Sequence, residues 1–154
     1  MKTKVFEKLK RYDYLSSKYE DFRYIIQRYS GNLNLENCLI DFKIHEMKIG
    51  EIPCRPIWHY DGTNYPSLNA PADYCIYLQG DALSQTKFFS FEPLLFDGTE
   101  KEIHDYATNL EKISEIVYVD FNGWHHYTSH NLHAATKSTT TGTRILIRLK
   151  KNEM

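Results

Sequence analysis

Cysteine is scarce and poorly spaced for stapling: the 154 residues hold three, Cys38, Cys54 and Cys75, an odd number with no C-x-x-C pair. That excludes a disulfide framework and a thiolate zinc knuckle, and predicts reduced, buried thiols. Long apolar runs are missing as well. Nowhere does the chain reach the roughly eighteen consecutive apolar residues of a membrane-spanning helix, so no membrane partner is expected. The first residues, MKTKVFEKLKRYDY, are basic with no apolar run behind them, unlike a secretory leader, and a cytoplasmic location is the expectation. An excess of one charge is lacking too. Nineteen Lys and Arg meet twenty Asp and Glu, interspersed, and the net charge of −1 gives no field that would draw in nucleic acid. No internal repeat or linker is present, and the low-complexity run KSTTTGT at 137–143 is short enough to read as a hairpin loop.

Aromatic residues are what the chain has in quantity, with twelve Tyr and eight Phe. They suit strands and pocket walls and tilt the fold class toward β. The length fits one domain spanning 1–154, with a helical cover over 1–31 and a β core over 32–150. Between Val5 and Tyr29 apolar residues recur at three- and four-residue spacing, which predicts one long amphipathic helix or two shorter ones, Gly31 serving as the C-terminal cap. After Gly31 the period changes to two. Cys38, Ile40, Phe42 and Ile44 fall on one strand face, with Leu39, Asp41, Lys43 and His45 on the other. Further strands are expected at Tyr74–Gln79, Lys87–Phe91, Glu115–Phe121 and Thr143–Leu149, and a short helix at 100–113. The predicted class is mostly β (α+β): a sandwich or jelly roll backed by an N-terminal helical segment.

One segment could carry chemistry. RPIWHYDG at 55–62 sets an imidazole and a carboxylate two residues apart, so that in extended backbone His59 and Asp61 project on the same side and could grip one ion. Two histidines and one carboxylate occupy one face of an octahedral metal ion and leave the opposite positions open. A third ligand would come from the histidines of WHHYTSHNLHAA: His125, His126, His130 or His133. His45 and His104 lie in a predicted strand and helix and read as surface or satisfied core.

The ordered set WHYDG at 58–62, LHAA at 132–135 and GTRILIRL at 142–149, in a β-rich chain, resembles the iron(II)/2-oxoglutarate-dependent dioxygenases of prolyl-hydroxylase type. The resemblance runs from about Cys38 to Leu149 and takes in YCIYLQGD at 74–81 and TKFF at 86–89. It implies a double-stranded β-helix with His59, Asp61 and His133 as ligands of Fe(II). It also implies Arg144 as the anchor for the distal carboxylate of the cosubstrate 2-oxoglutarate, with Arg148, on the same strand face, as the alternate. A guanidinium suits that task because it offers a carboxylate two parallel charge-assisted hydrogen bonds. His126 and His130 are then not metal ligands. The implied activity is that of an oxidoreductase hydroxylating a C–H bond. The competing expectation is a jelly-roll binding or structural module that keeps the fold without turnover. The segments that would shape a substrate pocket, 64–73 and 91–97, carry no diagnostic pattern, and neither the substrate nor an oligomeric state has a signature in the sequence.

Overall fold

The computed structural model describes residues 1–31, 33–61 and 71–151. Most of the expected segment 64–73, and Gly62 of the Asp-Gly dipeptide after His59, therefore lie outside the described residues. In chain order the elements are β1 (Lys2–Lys10), α1 (Tyr12–Lys18), α2 (Glu20–Tyr29), β2 (Cys38–Met47), β3 (Asp73–Gly80), β4 (Thr86–Phe89), α3 (Glu100–Glu111), β5 (Ile116–Tyr118), β6 (Trp124–Thr128), β7 (His133–Ala135) and β8 (Gly142–Lys151). Among the described residues the protein is mostly β, with two antiparallel sheets. One has the order β1-β2-β8-β3-β6, the other β5-β4-β7. An isolated antiparallel bridge between His59 and His133 adds one more extended segment beside β7.

Alternation assigns every face of the large sheet. Ile40, Phe42 and Ile44 of β2, Ile147 and Leu149 of β8, and Cys75 and Tyr77 of β3 pack under Leu15, Phe22, Ile25 and Ile26 of the two N-terminal helices. Their even-odd neighbours Tyr74, Ile76, Leu78 and Leu146 point the other way, onto Phe88, Val119 and Tyr127 between the sheets. Behind the small sheet, Ile103 and Ala107 of α3 cover Trp58, Phe89, Leu132 and Ala134. That helix is started by a reciprocal capping box between Thr99 and Glu102. Among the described residues no helix is long and apolar enough to cross a membrane.

Several expectations are corrected. The helix predicted from Val5 begins only at Tyr12, because residues 2–10 form an edge strand paired to β2, and the helical cover shrinks to α1 and α2. Of the two arrangements expected for the helical stretch, two shorter helices are found, divided at Tyr19, whose backbone is extended. Gly31, with φ +57°, follows α2 as predicted. The KSTTTGT run is no hairpin loop, since the strands it joins, β7 and β8, belong to different sheets. Cys38 and Cys75 are buried and free, but Cys54 is exposed, lying in a loop rather than on a core face.

Candidate metal centre

His59 and His133 sit opposite one another as a doubly hydrogen-bonded backbone pair, His59 N–H to His133 O at 3.0 Å and His133 N–H to His59 O at 3.1 Å. The pairing puts both rings on one side, with centroids 4.4 Å apart. Asp61, two residues after His59, returns to the same side. The structure thus brings the three sequence-predicted residues together: one potential ligand atom from each lies within 4.8 Å of the others.

Each imidazole is fixed from behind. His59 Nδ1 donates to the carbonyl of Ile57 at 2.8 Å and His133 Nδ1 to that of Asn131 at 3.1 Å. A carbonyl only accepts, so Nδ1 carries the proton in each neutral ring, and both Nε2 lone pairs face inward. His133 Nε2 lies 3.1 Å from Asp61 Oδ1, and His59 Nε2 lies 3.8 Å from the same oxygen. His133 Nε2 is buried, and in the neutral Nδ1–H form it has no proton to give Asp61. Lone pairs of nitrogen and carboxylate turned toward one another repel unless a proton or a metal cation lies between them, and the donor set of two imidazoles and one carboxylate is one that divalent transition metals accept.

The other oxygen of Asp61 is occupied by the protein. Oδ2 accepts from Tyr127 Oη at 2.5 Å and from Arg148 at 3.1 Å. Arg148 also donates through Nε to Asp41 Oδ2 at 2.9 Å, and the second oxygen of Asp41 takes the Leu9 N–H at 2.8 Å. Burial by itself would raise the Asp61 carboxyl, but His133 when it carries a second proton, Arg148 and the Tyr127 hydroxyl outweigh it and hold the group far below the usual carboxylate range. The same burial, reinforced by His133, lowers His59 to about 4, so its ring is neutral across the physiological range. On Arg148 burial lowers the pKa, but Asp61, Tyr127 and Asp41 reverse that and raise it.

The remaining candidates fall elsewhere. His126 faces the helices, its Nε2 3.8 Å from the Cys75 thiol. His125 points between the sheets against the Phe88 ring, at 4.6 Å. His130 belongs to the turn before β7, its N–H bonded to Thr128 Oγ1 at 3.2 Å. Arg144 is 2% exposed on the inner face of β8, its Nε donating to the Ser84 carbonyl at 2.8 Å. Arg148, the alternate anchor, has its guanidinium turned to Asp41 and Asp61 instead. Sequence reasoning missed Tyr127 and the Asp41–Arg148 pair. Their separations of 66, 87 and 107 residues leave no local signal. His104 is half-buried and satisfied, its Nδ1 accepting the Trp58 N–H at 3.0 Å. His45 is core but not satisfied, because its Nδ1 is buried without a partner among the described residues.

A small pocket of about 180 Å³ opens beside Asp61, lined by Lys8, Asp41, Tyr74, Arg148 and Lys150 among others. A cleft of about 620 Å³ lies against the opposite face of the same sheet, and Tyr127 is part of its wall. Comparison with protein-family models, curated proteins and solved structures finds no match in any of the three.

Proposed function

We propose that this chain is an oxygenase that uses ferrous iron and 2-oxoglutarate to hydroxylate a substrate C–H bond. The observation that carries the reading is the His59–Asp61–His133 group, with both imidazoles oriented by backbone carbonyls and His133 Nε2 buried and turned onto Asp61. These residues fit a divalent iron ion, and they would hold it from one side only. The path of the chain supports the same reading. From β2 onward it visits the large sheet, the small sheet through His59, the large sheet again with β3, then the small sheet with β4 and β5. It ends large, small, large through β6, β7 and β8. Winding back and forth between two sheets is the habit of a jelly roll or double-stranded β-helix.

When bound, iron and 2-oxoglutarate would supply the oxidation, the keto acid losing carbon dioxide as one oxygen atom of O2 enters the substrate. The protein's own residues position and insulate. His59 and His133 present fixed lone pairs, Tyr127 and Arg148 keep Asp61 ionised and hold its second oxygen, and Phe88 packs against the His133 ring at 5.3 Å. Arg144 provides a buried guanidinium with no carboxylate partner among the described residues, which fits an acidic cosubstrate.

The test is spectroscopic. Ferrous iron and 2-oxoglutarate added under nitrogen should give a weak visible charge-transfer band that disappears in Asp61→Ala and His133→Ala and bleaches on admitting oxygen, with succinate formed. Iron binding without the band or succinate would make the protein a metal-holding module. No iron binding at all would remove the metal reading.

A further inference from the structure

The cross-strand register of β2 and β8 arranges the inner face of the large sheet in layers. Asp41 pairs with Arg148, Lys43 with Leu146, and His45 with Arg144, which in turn lies beside Gly80 of β3. The Asp41–Arg148 layer touches Asp61. The His45–Arg144 layer is four residues further along β8, about 13 Å down the strand. Interlocked loops close this deeper end. Asp81 and Ala82 donate their N–H groups to the Thr143 carbonyl, Thr139 N–H to the Leu83 carbonyl and Leu83 N–H to Thr140 Oγ1. Water is kept from the layer: His45 is 3% exposed and Arg144 2%.

Two groups in this closed floor want an anion. Among the described residues Arg144 makes one hydrogen bond, to a carbonyl, and no ion pair. A guanidinium buried that way is costly until a counter-charge arrives. Beside it His45 Nδ1 is buried with no hydrogen-bond partner among the described residues. The neighbouring carboxylates are committed elsewhere, Asp41 to Arg148 and Asp81 to the Thr143 N–H. Lys43, between the layers, turns its ammonium over the Phe6 ring at 4.9 Å.

We infer that His45 is a specificity-determining residue of this floor, its Nδ1–H donating to the same carboxylate that the Arg144 guanidinium pairs with. The site would thereby select ligands whose acidic group lies at the end remote from the metal. The inference rests on the oxygenase reading and deepens it. Burial and the adjacent Arg144 lower the His45 pKa, which keeps the ring a neutral donor and leaves the charge to Arg144. Two donors from facing strands fix both the position and the plane of a carboxylate, whereas Arg144 alone would accept any small anion.

The probe is glutarate, with butyrate as its monocarboxylate counterpart, titrated calorimetrically into metal-free protein. Glutarate should bind, His45→Leu should weaken it by about tenfold to a hundredfold, and His45→Asn, whose amide reaches the place of Nδ1, should recover most of the loss. The ring nitrogen resonance of His45 should move on glutarate addition in the wild type and stay fixed in Arg144→Ala. Wild-type affinity in His45→Leu, with loss only in Arg144→Ala, would overturn the role of His45. His45-dependent glutarate binding in a protein that gives no iron and 2-oxoglutarate band would uphold this site while removing the oxygenase reading. A band formed without any effect of His45→Leu on 2-oxoglutarate affinity would leave that reading standing and remove this one.

Discussion

The two oxygens of Asp61 face different surroundings. Oδ1 points at two imidazole nitrogens, while Oδ2 is held by Tyr127 and Arg148. That division favours one-oxygen coordination, since the second oxygen would have to give up two donors to reach a metal. Tyr127 is the cleaner handle, because Arg148 also supports Asp41. Tyr127→Phe removes only the hydroxyl and keeps the ring that stacks on Tyr74 at 5.2 Å and meets His133 at 5.1 Å. The fold should survive, and affinity for Co(II), a stand-in for ferrous iron, should fall about tenfold to a hundredfold, as for other groups that orient a metal ligand. Calorimetric titration of both proteins reads this. Equal affinities would mean that the hydroxyl contributes nothing to the geometry of Asp61.

At the scale of elements, what was legible depended on whether one face was buried. β2 announces itself because its apolar residues alternate and one set packs under the helices. β1 does not: it is an edge strand on which only Glu7 is buried, and irregularities near Lys4 and Lys8 break its period. Its Val5, Phe6 and Leu9 then mimic the spacing of the helix that follows. β6 and β7 announce only their histidines, being five and three residues long. His59 and Asp61 could be paired from sequence because extended backbone fixes the relation of i to i+2. His133 reaches them only through the bridge between distant segments. The junction of β3 and β8 gives this scale its prediction. Gly80 has φ +116°, and a Cβ there would lie 2.0 Å from the Thr143 carbonyl oxygen, beside Arg144. Gly80→Ala should therefore cost at least about 1–3 kcal/mol in backbone strain alone. For a domain of this size that is a drop of several degrees in thermal midpoint. Gly123→Ala, where nothing lies within 4 Å, should leave the midpoint nearly unchanged. Thermal unfolding followed by circular dichroism compares the two. A midpoint for Gly80→Ala equal to that of Gly123→Ala would contradict the close approach of β3 to β8.

The whole molecule couples this site to acid stability. His59 is lowered to about 4 by burial and by the neighbouring His133. Burial lowers His45 and His125 as well, helped by Arg144 for the first and by His126 for the second. A histidine whose folded pKa lies below its unfolded value contributes fully to stability above about 6.5. That contribution is lost as pH falls toward the folded value, because the unfolded chain takes up the proton that the folded one refuses. The metal-free protein should consequently lose stability between about pH 6.5 and 4, with His59 alone responsible for something on the order of 3 kcal/mol. Asp61 has the same sign but acts lower, through and below the usual carboxylate range, because its folded value is depressed. Urea midpoints measured at about pH 7, 5.5 and 4.5 should fall in step for the wild type. His59→Gln, which cannot titrate, should flatten that fall, at the expense of the metal ligand. A variant with the wild-type slope would show that His59 is not held neutral by its surroundings. The metal-loaded protein adds a second check. Protons compete for the same Nε2 lone pairs, so the extra stability conferred by Co(II) should shrink as pH falls.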